Sequence, residues 1–471
     1  MGKKIIISAT PEETRMALAE GEKLVEYVVE RNSEQHIVGS IFKGKVKNVV
    51  RAIQAAFIDI GREQNAFLFL AEKGDVSEGQ SMLVQVTKDA RGSKGPTVSR
   101  ELALAGRYVV LMPFSDYIGI SRKISDKEER QRLKNIVAAA KPEGAGFVIR
   151  TLAEGLQEEK LSADINQLLA TWRVIQARER HGQAPLLLYR ELDLAVRIVR
   201  DYLTSDVDRV ILDDAVIYRR VGELLKDMGS CLPAKLVLYE SKDDVFEHYQ
   251  LSEQIAGISD RKVWLDCGGY LIFDYTEAMT VIDVNSGRYS SGTSLEETVM
   301  RINREAAREI ARQLRLRDIG GIIVVDFIDM HTEESQQEIV AILHEALASD
   351  KMRPKVQDIT VLNLVEITRK KARQNLSTVL YDACPTCQGS GRVQSQETVS
   401  IEIRRRLREL MNKSLSSKSV LLQLHPRVAD WITKHELKQM EREFSCSIAI
   451  EADAAMHVEA FAILDNTKLD K

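Results

Sequence analysis

The sequence predicts a multidomain protein of the α/β class, and three observations support this. Its 471 residues suffice for roughly three domains of ~150 residues each. Between Gly39 and Arg100, four short strand-like runs are separated by glycines, a pattern typical of a small barrel. Between Thr280 and Met330, an apolar β-branched run, an amphipathic helix and a second apolar run follow one another, as in a parallel βαβ unit.

The overall charge is slightly negative, which excludes binding of nucleic acid through a basic field that covers the whole protein. Lys and Arg number 66 against 70 Asp and Glu, which leaves a formal net charge of -4. Hydrophobic residues make up 44% and charged residues 29% of the chain, which is ordinary for a globular protein. Any binding of nucleic acid must therefore come from local basic patches.

The sequence shows no sign of a membrane span or of secretion. No apolar run reaches the ~18 residues of a transmembrane helix. The apolar run Ile5–Ile7 is too short for the core of a signal peptide. The five cysteines are odd in number and mostly scattered, which favours a reducing compartment. We therefore expect a cytoplasmic protein.

Local patterns predict further elements. The capping-box spacing of Ser125 and Glu128 predicts a helix over Asp126–Ala140. Helical periodicity continues over residues 160–205. The remaining expected elements are strands at Lys4–Ser8, Leu24–Glu30, Gly146–Arg150 and within Lys235–His248, and a basic amphipathic helix at Ser400–Asn412 that opens a small α/β unit.

The predicted barrel is suited to bind a single nucleic-acid strand. Residues 39–100 contain ten Lys and Arg against six Asp and Glu, a net charge of +4. Phenylalanines lie between the basic residues: Phe42, Phe57, Phe67 and Phe69. Exposed aromatic rings stack on bases and cations follow phosphates. The alternative is that the rings belong to the core, and strand alternation favours this for at least two of them.

The βαβ unit predicts a pair of neighbouring carboxylates. Asp283 and Asp326 lie near the ends of its two strands, and parallel strands end at the same edge of a sheet. Two adjacent carboxylates repel unless a cation lies between them, and oxygen ligands with Asn285 nearby suit Mg²⁺ or Mn²⁺. Alternatively, each aspartate caps a turn or pairs with an arginine of the intervening helix, whose cap is expected at Ser294.

Two cysteines, Cys384 and Cys387, lie in a Gly-rich segment with the sequence Cys384-Pro-Thr-Cys387-Gln-Gly-Ser-Gly391. Two thiolates at this spacing bind one Zn²⁺ at ~2.3 Å, and a structural zinc takes four ligands. Because the chain has no second C-x-x-C, two chains could share one zinc ion. The alternatives are a thiol pair without metal and a redox pair, although the residues that follow do not favour the helix that a redox motif begins.

Two basic features are weak by themselves. Arg150, at the end of a predicted strand and followed by Thr151, is the kind of residue that is usually solvated. The run Arg369–Arg373 predicts a solvated helix face, with contact to RNA phosphates as a second interpretation.

The sequence resembles the ribonuclease E/G family along nearly its whole length. The catalytic part of that family is similar to three segments, Thr280–Ser286, Arg312–Asp318 and Gly320–Met330. Its OB-fold domain is similar to Gly39–Val46, Gln54–Gly61 and Lys88–Gly95. Its 5′-sensor is similar to Ala105–Tyr108, Ile120–Ile124 and Gly146–Thr151, and it carries a similar cysteine pair.

The resemblance implies the chemistry of the carboxylate pair and of the cysteines. The aspartates that match Asp283 and Asp326 hold a catalytic Mg²⁺ in that family, and the asparagine that matches Asn285 orients one of them. The implied reaction is hydrolysis by a metal-activated water, which leaves a 5′-phosphate and a 3′-hydroxyl. Cys384 and Cys387 would contribute to a zinc ion shared between two subunits.

The resemblance also implies two RNA-binding surfaces. The residues that match RNA-contacting positions of the OB-fold are Phe57, Phe67, Lys88 and Lys94. The residues that match the pocket for a 5′-monophosphate are Arg150, Thr151, Arg122 and Gly106. A guanidinium and a hydroxyl suit a terminal phosphate.

The implied architecture is a discontinuous ribonuclease H-like subdomain that contains an inserted OB-fold and 5′-sensor, followed by a DNase I-like catalytic subdomain, a zinc link and a small C-terminal domain. The expected segments, in that family's terms, are the first ribonuclease H-like segment at 1–35, the OB-fold at 36–100, the 5′-sensor at 101–195, the second ribonuclease H-like segment at 196–258, the DNase I-like subdomain at 259–380, the zinc link at 381–394 and the C-terminal domain at 395–471. The absence of a long Pro/Arg-rich tail favours the shorter, ribonuclease G-like branch.

The expected function is therefore endonucleolytic cleavage of single-stranded, A/U-rich RNA, stimulated by a 5′-monophosphate, in ribosomal RNA processing and messenger RNA decay. The expected partners are those RNAs and further copies of the chain, in a dimer or a tetramer. Two alternatives are a non-catalytic RNA-binding or ribosome-maturation factor on the same scaffold, and a phosphodiesterase that acts on DNA or a nucleotide.

Overall fold

The computed structural model describes residues 2–31, 37–70, 76–90, 94–204, 206–227, 235–287, 295–360, 362–371, 376–413 and 419–465. The chain forms two compact units, residues 1–379 and 380–471. The expected helix cap at Ser294 and the end of the basic run at Arg373 lie outside the described residues.

The described residues form strands and helices that we number in chain order. The strands are β1 (Lys3–Ala9), β2 (Glu13–Glu20), β3 (Lys23–Arg31), β4 (Ile41–Val50), β5 (Ala55–Asp59), β6 (Ala66–Phe69), β7 (Ser81–Lys88), β8 (Thr97–Ser99), β9 (Leu104–Ala105), β10 (Val109–Met112), β11 (Ile118–Ile120), β12 (Gly146–Ile149), β13 (Leu186–Tyr189), β14 (Val207–Leu212), β15 (Leu236–Leu238), β16 (Lys262–Trp264), β17 (Tyr270–Tyr275), β18 (Met279–Asn285), β19 (Gly321–Asp326), β20 (Lys355–Val356), β21 (Leu364–Arg369), β22 (Ser419–Leu424), β23 (Ser447–Ala452) and β24 (Phe461–Asp465). The helices are α1 (Lys127–Ala140), α2 (Glu158–His181), α3 (Leu194–Tyr202), α4 (Ala215–Asp227), α5 (Val245–His248), α6 (Ser252–Ala256), α7 (Leu295–Leu316), α8 (Glu333–Leu347), α9 (Leu376–Leu380), α10 (Gln396–Lys413), α11 (Pro426–His435) and α12 (Leu437–Phe444).

The first sheet joins two distant parts of the chain. Its strand order is β15-β14-β1-β2-β3, with β1 parallel to β14 and antiparallel to β2. The apolar side chains of α3 and α4 pack with those of β1 and β14 in one core. Strand β2 was not expected from the sequence.

A closed five-stranded barrel follows, consistent with the OB-fold that the sequence predicts. Strands β4-β5-β6-β8-β7 pair in that order, and β4 also pairs with β7, which closes the barrel. Its interior is filled by alternate side chains of these strands, among them Phe42, Val46, Ile58, Leu68, Val84 and Val98. Strand β13 adds to the edge of β4.

The segment next to the barrel contains a four-stranded sheet of order β11-β12-β10-β9, with α1 and α2 in its core. The predicted helix over Asp126–Ala140 is observed as α1. Its N-cap is Asp126 rather than Ser125, because the Asp126 side chain accepts the backbone N–H of Glu128 at 3.0 Å.

Two predictions about extended and helical segments are wrong in detail. Residues 160–205 are not helical throughout, because β13 separates α2 from α3. The segment Lys235–His248 holds only the short strand β15, followed by α5. Strand β13 is short and pairs with the distant β4, so packing rather than local sequence stabilises it, whereas α5 begins after its N-cap Asp244.

The predicted βαβ unit lies within a six-stranded mixed sheet of order β16-β17-β18-β19-β21-β20. Strands β18 and β19 are parallel, and α7 connects them. One face of the sheet packs against α7 and α8 through a large apolar core. The residues that alternate with this core, such as Asp283 and Ile322, are exposed, and we call their side of the sheet the open face.

The run that starts at Arg369 corrects another prediction. Arg369 is the last residue of strand β21 and is buried, not part of a solvated helix face. Its guanidinium donates to Asp350 and Asp318, each at 2.8 Å. Two carboxylates therefore offset the cost of burying this cation.

The C-terminal unit contains a three-stranded sheet of order β23-β22-β24. Helices α10, α11 and α12 contribute to its apolar core. The predicted amphipathic helix over Ser400–Asn412 is observed within α10. Across both units, no helix in the described part of the chain is long and apolar enough to cross a membrane.

Candidate active site

Asp283 and Asp326 are direct neighbours in the sheet. Each lies near the carboxyl end of its strand, and the parallel register pairs Asp283 with Asp326. Both side chains point to the open face and are exposed. Because hydrogen-bonded strands run ~4.8 Å apart, the two carboxylates face the same small volume of solvent.

The electrostatics of this edge favour a cation. Burial raises the pKa of Asp326, and the negative charges of Asp283 and Asp329 raise it further. The Asn285 amide donates to Asp283 Oδ2 at 2.7 Å, which restrains that carboxylate. A set of exposed carboxylate and amide oxygens fits a hard divalent cation such as Mg²⁺ or Mn²⁺.

The alternative that these aspartates pair with helix arginines can be compared with two ion pairs of α7 in the described part of the chain. Arg304 pairs with Glu338 at 2.6 Å, and Arg312 pairs with Glu309 at 2.6 Å. Both arginines thus have glutamate partners.

The loop after Asp326 is held by a residue that sequence reasoning missed. Asn303 of α7 is fully buried; it donates to the Ile328 carbonyl at 2.8 Å and accepts from the Ile328 N–H at 3.2 Å. In the same loop, Asp329 accepts from Asn363 at 3.1 Å. The available signal was an asparagine within the apolar stripe of the predicted helix, beside Ile302.

The four expected residues of the barrel do not have equal surroundings. The register pairs Phe57 with Phe67, then Phe67 with Thr97, then Thr97 with Lys88, so these residues form a row across four strands. The two rings meet edge to face, with centroids 6.1 Å apart, and are half-buried. Lys94 is exposed and adjoins residues 91–93, which lie outside the described part.

The other two phenylalanines differ clearly in exposure. Phe42 is buried in the barrel, whereas Phe69 is 59% exposed. Of the four rings, only Phe42 is fully in the core, so the expectation of at least two core phenylalanines is not met. The outward rings of β5 and β6 therefore form an aromatic surface, half-buried at Phe57 and Phe67 and exposed at Phe69.

A second cluster forms where β11 and β12 end. These strands are parallel, so Ser121 and Thr151 leave the sheet at the same edge, and their hydroxyls lie 2.8 Å apart. Arg150 donates to the carbonyl of Gly106 at 2.7 Å. Arg122, next to Ser121, is exposed. The structure thus brings Gly106, Arg150 and Thr151 together, and adds Ser121.

Gly106 is required by close packing. A Cβ at this position would lie 2.6 Å from Asp164 Oδ2. The Asp164 carboxylate accepts the backbone N–H groups of Tyr108 and Val109 at 2.8 and 3.0 Å, and so cannot retreat without losing them. Gly106 therefore contributes its carbonyl to the position of Arg150.

Asp201 is a partner of Arg150 that the sequence did not reveal. Its carboxylate lies 2.7 Å from the Arg150 guanidinium and 3.1 Å from that of Arg200, which also pairs with Glu191 at 2.9 Å. Burial favours a higher pKa for Asp201, but hydrogen bonds and charges from Arg200 and Arg150 outweigh it and lower that pKa. Arg150 thus lies within a charged network.

The cysteine pair lies on a tight turn of the C-terminal unit. The Cys384 carbonyl accepts from the Gln388 N–H at 2.7 Å, and the Cys387 carbonyl accepts from the Ser390 N–H at 2.8 Å. Hydrogen bonds from the backbone of Cys387 and Thr386 lower the pKa of the Cys384 thiol. A thiol that ionises readily suits a zinc ligand. No group of three or more His, Cys, Asp and Glu with metal-ligand geometry occurs in the described part.

Comparison with known proteins relates the chain to ribonucleases. The profile described as "Ribonuclease E/G family" matches residues 103–372, and "RNase E/G, Thioredoxin-like domain" matches residues 383–467. The chain is similar to ribonuclease G of Escherichia coli strain K12, with 36% identity over 488 aligned positions that cover 98% of this chain and 100% of that protein.

Two relatives from Haemophilus influenzae show the same relation. Its ribonuclease G is 36% identical over 98% of this chain and 99% of its own length. Its ribonuclease E is 34% identical over 98% of this chain, but over only 52% of its own length.

Proposed function

The chain belongs to the ribonuclease E/G family and is an endoribonuclease, and we propose that it cuts single-stranded, A/U-rich RNA with a divalent cation held by Asp283 and Asp326. The observation that carries this proposal is the parallel register that sets these two carboxylates side by side on the open face. We also propose that the chain is organised in the seven segments that the sequence predicts.

The carboxylates would hold Mg²⁺ or Mn²⁺, and Asn285 would orient Asp283 through its 2.7 Å hydrogen bond. When bound, the cation supplies Lewis-acid polarisation of the scissile phosphate and a more acidic water, so that hydrolysis leaves a 5′-phosphate and a 3′-hydroxyl. Asn303 keeps the loop after Asp326 in place through its two bonds to Ile328.

The barrel would hold the strand near the active site. Phe57 and Phe67 offer ring surface for bases, while Lys88 and Lys94 offer ammonium groups to phosphates. Stacking on rings requires unpaired bases, which suits an enzyme that acts on single strands.

A 5′-monophosphate would bind beside Arg150, Thr151 and Arg122. Arg150 keeps donors beyond the one that serves Gly106 and Asp201, and Thr151 offers a hydroxyl. Gly106 acts through its carbonyl. Occupation of this pocket would favour RNA with a processed 5′ end.

Cys384 and Cys387 would supply two of four thiolates to a Zn²⁺ shared with a second copy of the chain. The assembly would be a dimer or a tetramer. In the cell, we propose a cytoplasmic enzyme that processes ribosomal RNA precursors and starts the decay of messenger RNA.

The test is cleavage of a short A/U-rich RNA with a 5′-monophosphate and Mg²⁺, comparing the wild type with the double variant Asp283→Asn, Asp326→Asn. We expect the variant to lose cleavage by a factor on the order of a thousand or more, because several kcal/mol of charge stabilisation are lost. RNA binding measured without added divalent metal should persist.

The matched control is Asp274→Asn, which removes another exposed carboxylate from β17 of the same sheet. It should cleave like the wild type. A wild type that binds RNA but fails to cut it under every divalent metal tried would leave the non-catalytic factor as the better account. Equal cleavage of an all-DNA strand would favour the general phosphodiesterase instead.

A further inference from the structure

An aromatic pair, one ring exposed and the other half-buried, lies on the edge strand β16 and its neighbour β17 in the six-stranded sheet, apart from the barrel. Trp264 of β16 is 57% exposed, and its ring centroid lies 5.3 Å from that of Tyr270 on β17, at an angle of 64°. The ammonium of Lys262 lies 3.9 Å from the Trp264 ring centroid and 3.6 Å from that of Tyr270. We call these three residues the aromatic platform.

Strand alternation places the platform on the open face. Val263, between Lys262 and Trp264, packs against the apolar core, and Leu271, next to Tyr270, is buried in it. The platform therefore points away from α7 and α8, on the side of the sheet that carries Asp283 and Asp326. A tryptophan more than half exposed on a sheet face contributes little to the core, so folding stability does not account for it.

The register gives the distance from the platform to the carboxylates. Trp264 is the cross-strand neighbour of Tyr270, and Tyr270 is the neighbour of Asn285, which bonds Asp283. With strands ~4.8 Å apart, the Trp264 backbone lies about 10 Å from that of Asn285. The platform and the carboxylate pair therefore form one continuous surface.

We propose that the aromatic platform is a base-stacking subsite for the single-stranded RNA, close to the scissile phosphate. This inference rests on the proposed function, because it takes Asp283 and Asp326 as the place of cleavage. It adds to the barrel row a second place where a base is held, on the catalytic sheet itself.

The chemistry of the platform favours a nucleic-acid strand as its occupant. A base would stack on the indole face that Lys262 does not cover, and the adjacent ammonium can contact the neighbouring phosphate. Lys262 also holds the Trp264 and Tyr270 rings in place through its contacts with both, so little side-chain freedom is lost when the base stacks. The platform's continuity with the carboxylate pair argues for the same ligand on both.

The first experiment measures binding of a short A/U-rich RNA without added divalent metal, so that cleavage plays no part and the proposed zinc link is kept. We expect Trp264→Ala to weaken binding roughly 5- to 100-fold, the range typical of one lost stacking contact. Trp264→Phe should restore most of the affinity, because it keeps an aromatic face. The matched control is Tyr275→Ala, since Tyr275 is 44% exposed at the other end of β17 and alternates onto the other face.

The second experiment locates the base. A single abasic nucleotide is moved along the RNA on both sides of the cleavage site, and kcat/KM is measured with Mg²⁺. The wild type should lose activity at a particular position near the site, and Trp264→Ala should be insensitive at that position while the control follows the wild type.

The proposed function and the proposed stacking subsite are contradicted by different results. A wild type that does not cleave overturns the proposed function. A wild type that cleaves, with Trp264→Ala matching it in affinity and in the abasic series, overturns the platform alone. A Trp264→Ala variant that changes the sedimentation coefficient but not RNA affinity would also overturn it, by making the platform a contact between copies of the chain.

Discussion

Asn303 is the residue whose buried polar group most directly supports the candidate active site. Its amide satisfies both backbone groups of Ile328, two residues beyond Asp326, from the middle of α7. A buried polar group is retained at such a place only when it is hydrogen-bonded, since the unpaired group is costly. Asn303 is thus a positioning residue that acts through the loop.

Asn303→Leu should lower both stability and turnover. It leaves the Ile328 N–H and carbonyl without this partner, and because Ile328 is partly buried each lost bond should cost about 1 kcal/mol. We expect a lower melting temperature and a lower kcat, with unchanged RNA affinity in the absence of added divalent metal. A purely structural role would instead lower the folded fraction and leave kcat per folded molecule unchanged.

Asp201 should set how strongly Arg150 responds to a 5′-phosphate. Asp201→Asn keeps an oxygen to orient Arg150 but removes a negative charge beside the pocket, so cleavage should prefer 5′-monophosphate over 5′-hydroxyl RNA several-fold more. Asp201→Ala also removes the anchor, which should reduce that preference. The measurement is the ratio of kcat/KM for the two RNAs, and identical ratios in both variants would contradict the assignment.

Helix α1 is the element that supports both sides of the proposed 5′-phosphate pocket. Arg130 donates to the carbonyls of Ser121 and Ile124 at 2.8 and 2.9 Å. Glu129 accepts from the Gly155 N–H at 2.8 Å, shortly after Thr151. One turn of helix therefore holds the two segments that follow β11 and β12.

The stabilisation that the Glu129 interactions give to α1 should depend on pH. Hydrogen bonding from Arg132 lowers the pKa of Glu129 from 4.5 to about 2. Since the folded-state value is the lower one, the stabilisation is fully present above pH 4.5 and is lost as the pH falls toward 2. Glu129→Gln should lower the melting temperature at pH 7 by a few degrees. The difference in melting temperature between the wild type and this variant should become smaller below pH 4.5. The neighbouring exposed Glu128→Gln serves as the control.

At the scale of the whole molecule, the cysteine pair of the C-terminal unit is expected to decide assembly. Two thiolates leave a tetrahedral zinc ion half-coordinated, and a second copy of the chain can complete it. The proposed catalytic carboxylates lie in the other unit, so assembly and chemistry should be separable by mutation.

The double variant Cys384→Ser, Cys387→Ser should lose bound zinc and sediment as a smaller species, because it removes both thiolates. A chelator applied to the wild type should have the same effect. Cys446→Ala is the control, since Cys446 is buried within the core of the same unit. Zinc analysis and analytical ultracentrifugation check the prediction, which is wrong if the variant keeps the wild-type mass.

Features that depend on nearby residues were accessible from the sequence. Strand alternation and glycine spacing predicted the barrel strands, and the βαβ pattern placed Asp283 and Asp326 at one edge, because crossover handedness and strand direction are local rules. The cap of α1 was predicted one residue too early, since Ser125 and Asp126 are both good caps and only their geometry separates them.

By itself, the sequence determined the α/β class, the barrel, the family and the neighbouring carboxylates, because each follows from hydrophobic periodicity or from contiguous motifs. Only the tertiary structure decided that β13 pairs with β4, that Asp201 pairs with Arg150, and that Trp264 lies two strands from Asn285. Those relations depend on cross-strand registers and on side chains distant in the chain. Their energies come from packing that no local pattern records.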